Sequence, residues 1–140
     1  MSAPAAESAD KPAPAITVLL VDDQRMIVEV VRRLLADEPD IAFHFCTDPN
    51  EAVARANEVE PTIILQDLVM PALDGIEMVR RFRANPQTAR TPIIVLSGID
   101  DAESMRCAFA AGANDYIQKL PPKAKLLDII RAQADLQKPR

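Results

Sequence analysis

A doubly wound α/β fold on a five-stranded parallel sheet is predicted by three features of this sequence. Short apolar runs alternate with segments of helical periodicity along most of the chain. Runs such as "VLLV", "IIL" and "PIIVL" are apolar throughout, as strands covered on both faces are. Strict alternation of strand and helix calls for right-handed crossovers, which lay helices on both faces of a parallel sheet.

The elements follow in order. Ile16 to Val21 ("ITVLLV") is the first strand, and in "QRMIVEVVRRLLADE" the residues Met26, Ile27, Val30, Val31, Leu34 and Leu35 recur at helical spacing. "IAFHFC" alternates as a second strand. "DPNEAVARANEVE" is a helix that Asp48 can cap, with Pro49 in its first turn. "TIILQ" is the third strand, and "DGIEMVRRFRANP" and "TPIIVLS" supply the next helix and strand. "DAESMRCAFAAGA" is an Ala-rich helix that Gly112 can terminate; "NDYIQK" is the fifth strand and "KAKLLDIIRAQADL" the last helix.

The predicted domain spans 16–133. Residues 1–15, "MSAPAAESADKPAPA", read as a disordered leader without the basic start and apolar run of a secretory signal, and 134–140 as a polar tail or linker. With 140 residues, 49% hydrophobic and 26% charged, the chain fits one globular domain. A formal charge of −5 and a pI near 4.9 argue against nucleic acid or an anionic membrane as partner. No window approaches the roughly 18 apolar residues of a membrane span. Cys46 and Cys107 follow no metal spacing and read as buried, reduced thiols, which fits a cytoplasmic location. His44 sits within the second strand and is set aside as a site residue.

In a doubly wound sheet, ligands bind beyond the carboxyl ends of the strands. Those ends carry Asp22 and Asp23 after the first strand, Asp67 after the third, Ser97 after the fourth and Lys119 after the fifth. Taken alone, each has an ordinary explanation: a helix cap, a solvated strand end, a turn residue, a surface charge. Together they converge. Three carboxylates at one edge repel one another unless a cation neutralises them, and oxygen ligands with spare water positions suit Mg²⁺. A carboxylate there, flanked by an ammonium and a hydroxyl, is equipped to accept a phosphoryl group as an aspartyl-phosphate. Asp67 ends a central strand with no adjacent acid and is the candidate nucleophile. Asp22 and Asp23 would hold the metal, Lys119 would pair with the phosphoryl oxygens, and Ser97 would hydrogen-bond one of them.

With "LLVDDQ", "LQDLVMPALDG", "IIVLSG" and "GANDYIQK" in place, the chain resembles the receiver domain of bacterial two-component response regulators over about residues 16 to 133. That resemblance implies a flavodoxin-like strand order 2-1-3-4-5. It implies Mg²⁺ held by Asp23, Asp67 and the backbone carbonyl of Val69, with Asp22 assisting through water or the lysine. It also implies a switch in which Tyr116 changes rotamer as Ser97 moves toward the phosphoryl group. The implied partners are a sensor histidine kinase as phosphodonor and an output domain or downstream protein, with a homodimer on phosphorylation. The side chains of Val69 and Ile99 would flank the approach of hydrolytic water. Within the family, "FHFCTDPNEAVARAN", "TIILQDLVMP" and "AAGANDYIQKLP" are similar to the receivers of Wsp-type diguanylate cyclases. No "GGDEF" segment occurs here, and the three glycines, at 75, 98 and 112, cannot form that active site. The domain is therefore expected to act as a signalling phosphoacceptor and not as a separate enzyme, either excised from a longer chain or standing alone.

One departure from the family pattern is the order Lys119-Leu120-Pro121-Pro122, where receivers place proline directly after the lysine in a cis linkage. The resemblance leaves the Lys119–Leu120 conformation open. Three rival readings compete. A haloacid-dehalogenase-like phosphatase needs a second Asp two residues after the nucleophile, where this chain has Val69. A nucleotide or flavin binder needs a Gly-, Ser- or Thr-rich loop after the first strand, where "VDDQRM" offers anions. A pseudo-receiver, an interaction module that is never phosphorylated, would lack an acid or the lysine; all are present.

Overall fold

The computed structural model describes residues 15–98 and 101–136. The leader through residue 14, Ile99, and the tail from residue 137 lie outside the described residues.

Five strands, β1 (Ile16–Val21), β2 (Ile41–Cys46), β3 (Ile63–Asp67), β4 (Ile93–Ser97) and β5 (Asp115–Gln118), form one sheet in the order β2-β1-β3-β4-β5. All four pairings are parallel. Between the strands run α1 (Arg25–Leu35), α2 (Ala52–Val59), α3 (Gly75–Ala84) and α4 (Ala102–Ala111), and α5 (Lys123–Leu136) follows β5. This is the doubly wound arrangement that the alternation predicted, in the flavodoxin-like strand order that the resemblance implied. A single 3₁₀ turn, Pro49–Glu51, precedes α2, and Asp48 caps it by accepting the Asn50 N–H at 3.0 Å.

The alternation of side chains along each strand sorts the core into two layers. Val18, Leu20, Ile63, Leu65, Ile94 and Leu96 meet Val28, Val31 and Leu35 of α1 and Leu126 and Ile130 of α5. Leu19, Val21, Ile64, Ile93 and Val95 meet α2, α3 and α4 on the opposite face, with Met78, Val79 and Phe82 of α3 at the centre. The central strands β3 and β4 are buried at every position, whereas the edge strands β2 and β5 are only partly covered. That difference accounts for the apolar runs "IIL" in β3 and "IIVL" in β4 and the polar residues of "IAFHFC" and "DYIQ".

The amino-terminal edge of the sheet is pinned by Arg83. Its guanidinium donates to the carbonyls of Gly112 (3.0 Å), Thr88 (3.0 Å) and Thr91 (2.7 Å) and to Asn114 Oδ1 (2.7 Å). Asn114 Oδ1 in turn accepts the Ile93 N–H at 2.9 Å. Gly112 ends α4 with φ of 123°, and a Cβ there would fall 2.8 Å from Arg83 Cγ, so both backbone and space require glycine.

One expectation is corrected. Cys46 is buried, but Cys107 is exposed on α4, where an Ala-rich helix covers the sheet without burying its outer face. Both thiols are free. No described helix is long and apolar enough to cross a membrane.

Candidate functional site

At the carboxyl edge, β1 runs directly into Asp22, which is fully buried, and Asp23, which is half-buried. Asp22 Oδ1 accepts the Gln24 N–H at 2.9 Å, fixing the turn into α1. This is the ordinary structural role of an acid at that position, yet the second oxygen is left for other use. Asp22 Oδ2 makes no hydrogen bond of good geometry; it is held by an ion pair with Lys119 Nζ at 2.7 Å.

Asp67 is the last residue of β3 and only 6% exposed. Its Oδ1 lies 3.2 Å from Lys119 Nζ. One carboxylate oxygen from each of Asp22, Asp23 and Asp67 falls within 4.8 Å of the others. Burial raises the Asp67 pKa above its ordinary value and the Asp22 charge adds to this, while Lys119 and the Val69 N–H act in the opposite sense without reversing it. A carboxylate whose ionisation is disfavoured in this way, beside two further acids, forms a site that gains from a cation. The donors are all oxygen, so the residues present fit Mg²⁺.

Lys119 follows β5. Its N–H donates to the Ser97 carbonyl at 2.8 Å, which ties the ends of β4 and β5 together and aims the side chain inward between Asp22 and Asp67. The Lys119–Leu120 peptide is cis. Ser97 ends β4 and is fully buried, and the following Gly98 faces open space. A depression of about 340 Å³ lies over this edge, lined by Gln24, Asp67, Val69, Gly98 and Lys119. Val69 is 60% exposed there. Tyr116, on β5, is half-buried and packs against the α2–α4 layer.

The topology thus brings Asp22, Asp23, Asp67, Ser97 and Lys119 to one edge, with Val69 at its rim and Tyr116 one strand away. Two residues that shape this edge escaped the sequence reading. Gln66 is fully buried, its Nε2 donating to the Gly75 carbonyl at 2.9 Å and the Asp67 carbonyl at 3.3 Å. Gly75 packs so closely on the loop after β3 that a Cβ would fall 2.4 Å from the Leu68 carbonyl oxygen. A Gln interrupting an otherwise apolar buried strand was the available signal for the first, and the "DG" pair opening α3 for the second.

The comparisons with known proteins agree with this geometry. The family model described as the response regulator receiver domain matches residues 18–131. The regulatory protein VanRB of Enterococcus faecalis is 36% identical over 113 residues, 81% of this chain and 49% of that protein. The chain thus spans about half the length of such relatives. The chemotaxis protein CheY of Halobacterium salinarum is 35% identical over 113 residues, 81% of this chain and 92% of that one. Among solved structures, the chemotaxis protein CheY4 of Vibrio cholerae superposes with a TM-score of 0.78 at 29% identity, covering 84% of this chain and 97% of that chain. The receiver domain of the sensor histidine kinase PA1611 from Pseudomonas aeruginosa, whose crystal structure has a magnesium ion coordinated in its active site cleft, superposes at 0.77 and 28% identity, covering 86% and 98%. A parallel sheet in the order 2-1-3-4-5, an acidic cluster at its carboxyl edge and matches over most of the sequence lead to one conclusion: the chain belongs to the response regulator receiver domain family, a signalling domain and not a separate enzymatic module.

Proposed function

We propose that this domain is the phosphoacceptor of a two-component system, with Asp67 taking a phosphoryl group from the phosphohistidine of a sensor histidine kinase. A carboxylate oxygen of Asp67 would form the new O–P bond as the N–P bond breaks, and the imidazole nitrogen would leave with the electron pair. The observation that supports this best is the placement of Asp67: a strand-end carboxylate at the open depression, 3.2 Å from Lys119. Its surroundings are arranged for charge. Lys119 would follow the transferring oxygens as an ammonium partner, and the Ser97 hydroxyl would accept the role of hydrogen-bond donor to one of them.

Asp23, Asp67 and the Val69 carbonyl would hold Mg²⁺, with Asp22 acting through water or through Lys119. When bound, Mg²⁺ supplies charge neutralisation for the acids and for the phosphoryl oxygens. Loss of the Lys119–Asp67 pairing in favour of the phosphoryl group would then bias Ser97 and Tyr116 together and alter the surface formed by α4, β5 and α5. That surface would meet the output domain or downstream protein, or a second copy on phosphorylation, in the cytoplasm. Control of a diguanylate cyclase outside this chain is the finer proposal, resting on the similarity of residues 43–57, 62–71 and 110–121 to the Wsp-type receivers.

The test is mass spectrometry after incubation with acetyl phosphate and Mg²⁺. Labelling on Asp67, lost in Asp67→Asn and suppressed by EDTA, supports the reading. Labelling of Asp67→Asn on the same loop, or labelling indifferent to EDTA, overturns it, and a complete lack of labelling makes the domain a phosphorylation-independent interaction module.

A further inference from the structure

We propose that Gln66 is a positioning residue for the loop between β3 and α3, its side-chain amide setting where Asp67 and the Val69 carbonyl stand; the proposal rests on reading this edge as the Mg²⁺ and phosphoacceptor site. Gln66 is fully buried and occupies the register row between Val21 of β1 and Val95 of β4, where its neighbours are apolar. From there Nε2 reaches the Gly75 carbonyl at 2.9 Å and the Asp67 carbonyl at 3.3 Å. One amide group thereby bridges the two ends of the loop that runs from Asp67 to Gly75. The loop is closed a second time by the Gly75 N–H donating to the Leu68 carbonyl at 2.9 Å, in a contact so close that only glycine fits at 75.

The other half of the amide argues that folding alone does not account for this side chain. Gln66 Oε1 is buried with no hydrogen-bond partner. An orphaned buried acceptor is costly, and an apolar residue of the same length would fill the position without that cost. The Gly75 carbonyl, at the first residue of α3, has the helix's own bonding available to it. The amide adds little that the fold lacks. What it does add is a fixed distance between the end of β3 and the start of α3, across the segment holding both Asp67 and Val69. Metal ligands depend on such outer contacts for their orientation.

The experiment compares Gln66→Met, which keeps the length and removes the amide, and Gln66→Leu, which repeats the test with a different apolar shape, against the wild-type chain. Three quantities are measured: melting temperature, amide hydrogen exchange in metal-free protein, and affinity for Mg²⁺ alone by calorimetry. We expect unchanged or higher melting temperatures, Gly75 exchange faster by about ten-fold, and Mg²⁺ affinity weaker by roughly three- to ten-fold, the size of one to two lost hydrogen bonds. Wild-type exchange at Gly75 together with wild-type Mg²⁺ affinity overturns the proposal. So do losses spread over all core amides in proportion to a fall in melting temperature, which is what a merely structural role would give. Asp67→Asn is carried alongside: if that variant is still phosphorylated, the phosphoacceptor reading fails, while exchange at Gly75 judges Gln66 independently.

Discussion

Replacing Asp67 by Asn removes one charge from a crowded buried cluster, so it should stabilise the metal-free domain at neutral pH while abolishing its chemistry. Burial is the largest penalty on the charged form of Asp67, and the Asp22 charge is the next. With the two carboxylates no more than 4.8 Å apart, their repulsion is about 3.5 kcal/mol or more at an effective dielectric of 20. Attraction to Lys119 at 3.2 Å is about 5 kcal/mol on the same scale. Lys119 is closer to Asp22, at 2.7 Å, and keeps that partner in the variant. Attraction and repulsion therefore largely offset, and desolvation decides the sign. We expect Asp67→Asn to gain about 1–2 kcal/mol, equivalent to a melting temperature higher by about 3–8 °C for a domain of this length.

The pH dependence carries a definite sign. An unfolded Asp titrates near 3.8, and folding raises the Asp67 value, so the folded protein binds the proton more tightly. The contribution of Asp67 to wild-type stability then falls as pH rises from about 3.8 through the raised folded pKa, and the variant does not share that fall. The gap between them should be small in acid and largest at neutral pH. Mg²⁺ should close it, because a metal at ten times its Kd stabilises the wild type by about 1.4 kcal/mol and the variant by much less. Thermal melts followed by circular dichroism, with EDTA and with Mg²⁺, at acidic and neutral pH, are sufficient. A variant no more stable than wild type in EDTA at neutral pH, or stabilised equally by Mg²⁺, would refute the reasoning.

Other expectations concern the same edge. Lys119→Ala should retain Mg²⁺ binding, with equal or tighter affinity by calorimetry, because it removes a cation from beside two acids; it should weaken the response to phosphorylation, and a large loss of Mg²⁺ affinity would contradict this. Beryllofluoride with Mg²⁺ should shift amide resonances across residues 101 to 133, and a bound mimic that leaves them unchanged would remove the switch from consideration. Val69→Asn combined with Ile99→Glu should speed autodephosphorylation by roughly ten-fold or more, about 1.4 kcal/mol off the barrier, by supplying hydrogen-bonding groups to the attacking water. Decay of the phosphorylated protein after donor removal reads this, and equal rates would show that these side chains do not control water access.

How much of this was legible before any coordinates depends on the range of the interaction. Strand and helix periodicities are local, and the alternation they formed led to the sheet and to the edge where Asp22, Asp23, Asp67, Ser97 and Lys119 converge. Element ends shifted by a residue or two, as for β5, which stops at Gln118, since chain termini of elements are set by tertiary hydrogen bonds such as Lys119 N–H to Ser97. Contacts across long separations were not legible. The resemblance already linked Asp22 to water or the lysine, but that Lys119 rests closer to Asp22, at 2.7 Å, than to Asp67, at 3.2 Å, depends on the register of β1, β3, β4 and β5. Gln66 looks from sequence like a blemish in an apolar strand; only its place opposite Gly75 reveals two acceptors within reach. Arg83 likewise reads as one of several exposed helix charges, and its acceptors come from two separate connections, the one between α3 and β4 and the one between α4 and β5.

That Arg83 network has a mechanical consequence for signalling. By holding the Gly112 carbonyl and Asn114 together with Thr88 and Thr91, it anchors the far end of α4 to the end of α3 and the start of β5. The near end of α4 begins just past Ser97 and Gly98, at the edge where phosphorylation would act. The helix would thus act as a lever with its fulcrum at Gly112 and its moving arm at the edge of the proposed phosphorylation site. Ten residues make an arm of about 15 Å, so a tilt of about 10° would sweep the first turn through about 2.5 Å while leaving the fulcrum in place. A small displacement of one hydroxyl would in this way become a change in the shape of a whole face, and its direction would be set by an arginine at the opposite end of the molecule.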